Sequence, residues 1–331
     1  MPIMTNDVSM RAALYDRYGP PEVLYVGEVP KPAAGPGQVL VRVTASSVNG
    51  GELSGRAGRV RVVTGFGGFP HRIGIDFAGE VAAVGPDVPD FAPGDRVWGL
   101  LPRAFGAAAE FVVVPARQLA AAPAGLDLAE AAALPAVGTT VITALRDKAK
   151  LRAGERLLVR GAAGGVGHVA VQLGRAYGAH VTALAGARNL EFVRELGAHE
   201  AFDYATVKAA ELSRFDVVID TVGTDLPAYR RLLTRTGRMV TVSFDIDHIV
   251  VSLGYVLAST VHGRRRVRFF RGDPHRELLE ELTRLTESGS LRPVVDRAFP
   301  LAGIADAHRA LEDGGVRGKI VVTVRTGRPA E

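Results

Sequence analysis

The spacing of apolar residues changes along the chain. Before residue 126 they form short runs broken by Gly, Pro and Asp, which is typical of β-strands joined by turns. From there to about residue 245, helical spacing alternates with wholly apolar runs, the pattern of helices between buried parallel strands. A leucine-rich helix over 276–288 and a strand, helix and strand over 294–324 follow. This order predicts an α/β protein with a β-rich domain and a doubly wound parallel-sheet domain, helices covering both faces of that sheet.

The same change of spacing sets the expected domain boundaries. Residues 1–127 and 273–331 are assigned to the β-rich domain, because the last strand–helix–strand unit is expected to return to it, and residues 128–272 to the parallel-sheet domain. Residues 45–68 look too irregular for a core element and are expected to form a loop that shapes a binding site. The apolar run over 254–261 predicts a strand at a sheet edge.

A glycine-rich turn lies between an apolar run and a helical pattern. Residues 157–159 form the run, and a second apolar run covers 181–184. Strand, glycine turn, helix and strand within about thirty residues make a βαβ unit, in which a pyrophosphate can approach the backbone at the helix N-terminus. We therefore expect a dinucleotide to be bound by Ala163, Gly164, Gly165, Val166 and Gly167. The alternative is a tight structural turn.

The end of the second predicted strand indicates which dinucleotide binds. A site for NADH would usually carry Asp or Glu near Ala185 or Gly186 to bond the ribose 2′-hydroxyl, and neither position is acidic. Arg188 follows instead, and its guanidinium can hold a 2′-phosphate in a forked contact. Gly186 and Arg188 therefore favour NADPH as the cofactor. The alternative for Arg188 is an exposed residue in the first turn of the next helix.

Composition adds exclusions. The 331 residues are 47% hydrophobic and 23% charged, as in ordinary globular proteins. The chain has no cysteine, which rules out disulfides, thiolate metal sites and cysteine nucleophiles and favours a cytoplasmic location. We expect neither a signal peptide nor a membrane span, because the apolar runs are too short. The net charge of +5 is spread along the chain without a recognisable nucleic-acid-binding motif, so no nucleic acid is expected as a partner.

Several motifs occur in the order and at the spacing of a known family. They are Tyr18-Gly-Pro-Pro-Glu-Val-Leu24, Ser46-Ser-Val-Asn49, Val84-Gly-Pro86, Pro93-Gly-Asp-Arg-Val97, Ala131-Ala-Ala-Leu-Pro135, Gly161-Ala-Ala-Gly-Gly-Val-Gly167, Asp203-Tyr204, Phe215-Asp-Val-Val-Ile-Asp-Thr-Val-Gly223 and Arg317-Gly-Lys319. From about Met10 to Arg325 the chain resembles the medium-chain dehydrogenase/reductase superfamily, and within it the zinc-independent quinone oxidoreductase branch that includes zeta-crystallin. The resemblance implies a GroES-like catalytic domain beside a Rossmann domain, with NADPH in the cleft between them. It also implies a homodimer through paired Rossmann sheet edges, for which residues 254–261 would supply an apolar strand.

The resemblance also assigns residues to the cleft. Asn49 would lie beside the nicotinamide and the substrate, where its amide can donate to a developing oxyanion. The expected cofactor contacts outside the glycine turn are Thr140, Val222, Gly223, Ser243, Phe244, Tyr204 and Lys319, the last two near the phosphates. The alternatives are that Asn49 only holds its own loop and that Tyr204 is a half-buried strand end.

The chain departs from the family pattern at the metal and substrate positions. Zinc members carry a Cys and a Gly-His-Glu; here Val48 and Asn49 stand near the Cys position, and Gly74-Ile-Asp76 stands at the Gly-His-Glu. We therefore expect no metal and no alcohol oxidation by the zinc route. Many relatives also place a Tyr or Trp soon after the motif that ends at Glu52, whereas residues 53–56 contain no aromatic. The substrate pocket is therefore expected to differ, with weaker stacking of quinones.

These observations predict an NADPH-dependent reductase that transfers a hydride to a conjugated carbonyl, an enone or a quinone, without zinc. Positioning of hydride donor and acceptor is expected to supply most of the rate. Glu52 is a candidate proton donor only if burial raises its pKa, and an exposed loop carboxylate is the interpretation that the sequence favours. Other functions that the sequence leaves open are a tailoring reductase for a larger natural-product intermediate and an NADPH-binding protein with a structural or partner-binding role.

Overall fold

The computed structural model describes residues 9–59, 68–101, 105–245, 248, 254–259, 266–270 and 272–324. The strands of this part of the chain lie in three sheets. A small sheet contains β1 (Ser9–Tyr15), β2 (Tyr25–Pro30) and β4 (His71–Arg72). A large mixed sheet contains β3 (Gln38–Ser47), β5 (Asp76–Val84), β6 (Arg96–Leu100), β7 (Phe111–Pro115), β8 (Leu119–Ala121), β15 (Val295–Pro300) and β16 (Lys319–Thr323). The third sheet contains β9 (Arg156–Arg160), β10 (His180–Ala185), β11 (Glu200–Asp203), β12 (Phe215–Asp220), β13 (Leu233–Thr241) and β14 (Val267–Arg268).

Helices connect and cover these sheets. They are α1 (Gly50–Arg56), α2 (Leu128–Ala131), α3 (Pro135–Ile142), α4 (Gly165–Ala176), α5 (Leu190–Glu195), α6 (Leu226–Arg230), α7 (254–259), α8 (Arg276–Glu287) and α9 (Ile304–Glu312). A π-helical stretch, Thr143–Ala149, continues α3. No helix within the described ranges combines the length and the apolar character that crossing a membrane requires.

The C-terminal segment returns to the first domain, as its strand–helix–strand pattern predicts. The large sheet has the order β15–β16–β3–β5–β6–β8, and β7 also pairs with β3. β16 runs antiparallel to β3, with Val321 opposite Ser47. The N–H of Val48 donates to Ile320 O at 3.0 Å, so the pairing continues beyond the end of β3. This register brings Lys319 beside Asn49, 270 positions away in sequence. The domain boundaries at 127 and 273 stay a prediction.

The third sheet is parallel throughout and has the order β11–β10–β9–β12–β13–β14. Leu157, Leu158 and Val159 of the central strand β9 have no exposed surface, which explains the wholly apolar run in the sequence. The chain places β10 on one side of β9 and β12 on the other, so the sheet changes winding direction at β9. The carboxyl ends of strands at such a switch point form a crevice where α/β proteins bind ligands. The predicted architecture, a β-rich domain beside a doubly wound parallel-sheet domain, is confirmed.

Some local predictions are wrong. Residues 50–56 form α1 where we expected an irregular loop, and residues 254–259 form α7 where we expected an edge strand. Pro135 is the first residue of α3; the first helical position needs no N–H donor and suits the fixed φ of proline. Residues 60–67, 260 and 261, which belong to the same predictions, lie outside the described residues. The segment 254–259 therefore supplies no strand for pairing two sheets.

Helix α4 packs against β9 so closely that Gly167 has no room for a side chain. A Cβ atom there would overlap the carbonyl oxygen of Gly161 and lie 2.7 Å from Ala162 Cα. We predict that Gly167→Ala lowers the free energy of unfolding by about 1–3 kcal/mol, because backbone atoms must move apart to admit the methyl group. Chemical denaturation followed by the fluorescence of Trp98, the only tryptophan and a fully buried one, measures the change.

Gly164→Ala is the matched control for this prediction. A Cβ atom on Gly164 would meet only Gly161 O, at an ordinary 3.5 Å, and its φ of −78° suits any residue. Equal unfolding free energies of the two alanine variants would contradict the close-packing explanation.

Candidate active site

The glycine turn leads directly into helix α4. Gly164 is the N-cap residue, and no side chain caps the first turn of the helix. Gly318 N donates to Ala163 O at 2.8 Å, which ties the turn to the segment before β16. An uncapped helix N-terminus offers N–H groups and the positive end of the helix dipole to an anion. The turn therefore fits the diphosphate of a dinucleotide, while individual contacts from residues 163–167 stay a prediction.

Three residues that we predicted to lie near the phosphates of the cofactor, Gly186, Arg188 and Tyr204, lie where β10 ends. The ring of Tyr204 approaches Gly186 to within 3.6 Å of where a Cβ atom would stand, and Tyr204 is 64% exposed, so it is not a half-buried strand end. Arg188 is exposed, and its guanidinium packs so tightly on Gly315 that a Cβ atom there would overlap it. Arg317 donates from Nη2 to the carbonyl oxygen of Arg188 at 2.8 Å. Two guanidinium groups, one from each predicted domain, thus lie near the end of β10.

The remaining predicted cofactor residues lie at neighbouring strand ends. Val222 and Gly223 follow β12, Ser243 and Phe244 follow β13, and Thr140 lies on α3. Gly223 has a φ of +90°, and a Cβ atom on it would lie 2.6 Å from the carbonyl carbon of Phe244. The hydroxyl of Thr140 donates to Ala136 O at 2.7 Å. The structure thus brings the four strand-end residues to the carboxyl edge of the parallel sheet, while their contacts with a cofactor stay a prediction.

A buried ion pair that we did not predict stabilises this edge. Arg160 Nη1 donates to Asp220 Oδ1 at 2.6 Å and to Thr224 O at 2.7 Å. Burial raises the pKa of Asp220, and Arg160 opposes that effect. The second carboxylate oxygen accepts from Gly223 N at 3.0 Å. In the sequence, both charged residues end apolar strands, and nothing there indicates that the strands are neighbours.

Four polar side chains from three elements meet near the glycine turn. They are Asn49, Glu52, Asp76 and Lys319, which we call the buried polar cluster. Lys319 Nζ donates to Asn49 Oδ1 at 2.6 Å and to Val48 O at 2.8 Å. Asn49 Nδ2 lies 3.0 Å from Glu52 Oε1 and 3.1 Å from Asp76 Oδ1. The cluster therefore joins the N-terminus of α1, the start of β5 and the start of β16.

Lys319 reaches the cluster by crossing the glycine turn. Its Cδ lies 3.0 Å from where a Cβ atom of Gly165 would stand, so its aliphatic stem covers the start of α4. The amine then points to Asn49 and Val48. We predicted Lys319 near the cofactor phosphates; its stem lies at the turn, but its ammonium group donates to Asn49 and Val48.

Glu52 is buried, so the exposed-carboxylate interpretation is wrong. It is 3% exposed because residues 50–56 fold into α1, which turns this side chain towards the protein interior. Gly74 N donates to its Oε2 at 3.1 Å. Burial raises the pKa of Glu52 to about 7, with Asp76 adding to the effect and the hydrogen bond from Asn49 and the charge of Lys319 opposing it. The condition under which Glu52 is a candidate proton donor is therefore met.

Asn49 has no amide hydrogen to spare in this structure. Its Nδ2 lies within 3.1 Å of oxygen atoms of Ser47, Glu52 and Asp76, which are more acceptors than its two N–H groups can serve. Donation to a substrate oxyanion would require one of these bonds to break. Donation by Asn49 to an oxyanion stays a prediction, and the contacts show that Asn49 connects Glu52 to Lys319.

Aromatic side chains reach this region from elements other than α1. Tyr15, Tyr18, Phe69 and His71 form a cluster, with the rings of Phe69 and His71 4.5 Å apart. Phe69 is 44% exposed. Burial raises the pKa of Tyr15 to about 12, with Tyr18 and Glu52 adding to the effect and Arg56 opposing it. Residues 53–56 contain no aromatic side chain, but Tyr15, Tyr18 and Phe69 supply aromatic rings from other elements.

No group of three or more His, Asp or Glu side chains suited to a metal ion occurs in the part of the chain that the structure describes.

Residues 35–124 match the model of the alcohol dehydrogenase GroES-like domain, and residues 196–322 match the model of the zinc-binding dehydrogenase.

Several characterised proteins are similar over nearly the whole chain. The mitochondrial NAD(P)H oxidoreductase RTN4IP1 of Mus musculus is 33% identical over 356 residues, covering 95% of this chain and 89% of that protein. A chloroplast envelope quinone oxidoreductase homolog of Arabidopsis thaliana is 33% identical, covering 95% and 98%. The trans-enoyl reductase pgmF of Aspergillus terreus is 32% identical, covering 88% and 87%.

Solved structures agree with these relatives. The quinone oxidoreductase of Coxiella burnetii superposes with a TM-score of 0.86 at 31% identity, covering 96% of this chain and all of that one. The Escherichia coli quinone oxidoreductase complexed with NADPH gives a TM-score of 0.83 at 26% identity, covering 95% and 100%. The glycine turn lies at the switch point of the parallel sheet, and no side chain caps the helix that follows it. These features and the relatives agree: the chain belongs to the quinone oxidoreductase group of the medium-chain dehydrogenase/reductase family and is a nicotinamide-dependent oxidoreductase.

Proposed function

We propose that this protein is an NADPH-dependent reductase of conjugated carbonyl compounds, enones or quinones. The observation that carries the proposal is the buried carboxyl group of Glu52, with a pKa raised to about 7, which Asn49 and Lys319 connect to the glycine turn at the switch point. Reduction of a carbon–carbon double bond conjugated to a carbonyl needs one hydride and one proton. The relatives named as quinone oxidoreductases and as a trans-enoyl reductase support acceptors of this class.

The residues of this chain divide the work in the proposed reaction. Bound NADPH supplies the hydride. The open N-terminus of α4 holds the diphosphate. Glu52, protonated at Oε1 or Oε2, holds the proton that the reduced acceptor needs, and its site excludes water. Lys319 and Asn49 keep that carboxyl group in place through the bonds at 2.6 and 3.0 Å.

The preference for NADPH over NADH rests on charge at the end of β10. Arg188 is exposed there, its guanidinium lies on Gly315, and Arg317 holds the Arg188 backbone. No carboxylate stands at residues 185–188 to bond a free ribose hydroxyl or to repel a phosphate. The neighbouring structure complexed with NADPH supports the same cofactor. A homodimer and a cytoplasmic location stay predictions.

Arg188→Ala tests the cofactor assignment. We predict that kcat/KM for NADPH falls about 10- to 100-fold while that for NADH is nearly unchanged, because a charge-assisted contact to the 2′-phosphate is lost. Initial rates of NADPH and NADH oxidation with a panel of α,β-unsaturated ketones and quinones measure both values. Arg194→Ala, which removes an exposed arginine from the nearby helix α5, is the control and should keep the preference. An undiminished preference in Arg188→Ala would show that another group recognises the phosphate.

Glu52→Gln tests the proton donor. Gln keeps the size and the contact with Asn49 but has no acidic proton, so we predict that kcat for an enone falls about 10²- to 10⁴-fold with NADPH binding retained. In the wild type, kcat should fall as pH rises through about 7, since the carboxyl group must be protonated to act. The residual rate of the variant should lack this step.

Glu280→Gln, an exposed change on α8, is the control for the loss of a carboxylate and should behave as wild type. A pH step that persists in Glu52→Gln would assign the proton to another group. If wild-type protein binds NADPH but oxidises it with no enone or quinone, the proposed reaction itself is wrong.

A further inference from the structure

The buried polar cluster contains more acidic than basic groups. Glu52 and Asp76 can each carry a negative charge and Lys319 one positive charge, and each of these residues is at most 3% exposed. Full ionisation would leave one uncompensated negative charge in the interior, which is costly. One bound proton makes the cluster neutral.

Other titratable groups near the cluster do not supply this charge. On β1, burial raises the pKa of Tyr15 to about 12, so Tyr15 is neutral at pH 7. On α4, burial lowers the pKa of His168 to about 4, and Lys319 adds to the effect, so His168 is neutral as well. The charged groups that act on Glu52 are therefore Asp76 on β5 and Lys319 on β16.

Hydrogen-bond donors decide which carboxyl group keeps the proton. Asp76 accepts from Ser47 Oγ at 2.8 Å, from Asn49 Nδ2 at 3.1 Å and from Ala136 N at 3.2 Å, the last at the N-terminus of α3. Within the described ranges, Glu52 accepts from Asn49 Nδ2 and Gly74 N. Hydrogen-bond donors and a helix N-terminus favour negative charge on a carboxyl group, and Asp76 has more of these contacts than Glu52. The exchangeable proton therefore belongs to Glu52.

The cluster lies within one side chain of the expected diphosphate. The Lys319 stem covers Gly165 at the start of α4, and Gly318 N bonds to Ala163 O in the turn. A dinucleotide at a switch point spans both halves of the sheet, so a cofactor whose 2′-phosphate is held at β10 would have its nicotinamide on the side of β12 and β13. Charge on the cofactor would then act on the cluster through the protein interior, where electrostatic effects are strong.

We propose that the charge of the bound nicotinamide cofactor controls a proton on Glu52. The carboxyl group takes up a proton when NADPH binds, because the added phosphate charges favour the neutral form. It holds that proton less firmly beside NADP⁺, whose ring carries one more positive charge. This inference rests on the proposed function for the position of the nicotinamide.

The coupling would time proton release to the reaction. After the acceptor has gained a hydride, it is an enolate that lacks one proton. The O–H bond of Glu52 then breaks, a C–H bond forms on the enolate carbon, and the Asn49 side chain connects the remaining carboxylate to the ammonium group of Lys319. Ring oxidation and loss of the Glu52 proton therefore favour each other.

Proton uptake on cofactor binding tests the proposal without turnover. Titration calorimetry at pH 7 in two buffers of different ionisation enthalpy gives the protons taken up per bound NADPH and per bound NADP⁺. We expect wild type to take up more protons with NADPH than with NADP⁺, by at most about half a proton per site, because a group at its pKa is half protonated. Glu52→Gln should show equal uptake for the two cofactors, and Glu52→Asp should restore a difference.

Glu280→Gln should retain the wild-type difference, and the cofactor affinity from the same titrations reports whether each variant is folded. Equal uptake for the two cofactors in wild type, or a difference that persists in Glu52→Gln, would overturn the proposal. An enzyme that reduces enones with equal uptake contradicts this inference alone. A Glu52-dependent difference in a protein that reduces no conjugated carbonyl contradicts the proposed function alone.

Discussion

The site depends on the interaction of the buried Lys319 ammonium group, through Asn49, with the carboxyl groups of Glu52 and Asp76. Two carboxyl groups so close to one another cannot both ionise in an apolar interior without a cation, and a buried amine needs negative charge in turn. Glu52, Asp76 and Lys319 satisfy both requirements through Asn49, which contacts all three. The backbone fixes this arrangement, because β16 pairs with β3 and Gly318 N bonds to Ala163 O. The return of the C-terminal segment to the first domain is therefore a condition for assembling the site.

A cluster of this kind has a large energetic asymmetry. While every member is present and Glu52 carries its proton, each charge has a partner and most donors are used, so the net effect on stability is small. Removing Lys319 would leave two carboxyl groups without a cation, whereas replacing Glu52 by Gln keeps the size, removes the ionisable group and leaves one of the donors Asn49 Nδ2 and Gly74 N without its acceptor. The carboxyl group of Glu52 can thus change its charge without dismantling the fold, which is the property that a proton donor needs.

Sequence reasoning recovers the parts of the structure that depend on local pattern. The apolar runs at 157–159 and 215–220 predict buried parallel strands, and the glycines between 161 and 167 predict the turn that joins β9 to α4. It fails where tertiary contacts outweigh local propensity. Three glycines and a serine in 50–56 argue against a helix, yet α1 forms and buries Glu52, whose burial no local pattern shows. The pairing of Arg160 with Asp220 depends on strand order, which single-residue patterns do not carry.

The two ends of the proposed cofactor site differ in solvent exposure, and they therefore respond differently to salt and to pH. Arg188 and Tyr204 are exposed at the end of β10, so their attraction for a phosphate is screened by salt. Glu52, Asp76 and Lys319 are buried, so salt screens their interactions little, and pH acts through Glu52, whose pKa is raised to about 7. The two ends also lie on different elements, and the glycine turn and the segment before β16 connect them. A substitution at Arg188 therefore leaves the hydrogen bonds of the buried polar cluster in place, and a substitution on the surface of α1 leaves the contacts of Arg188 in place.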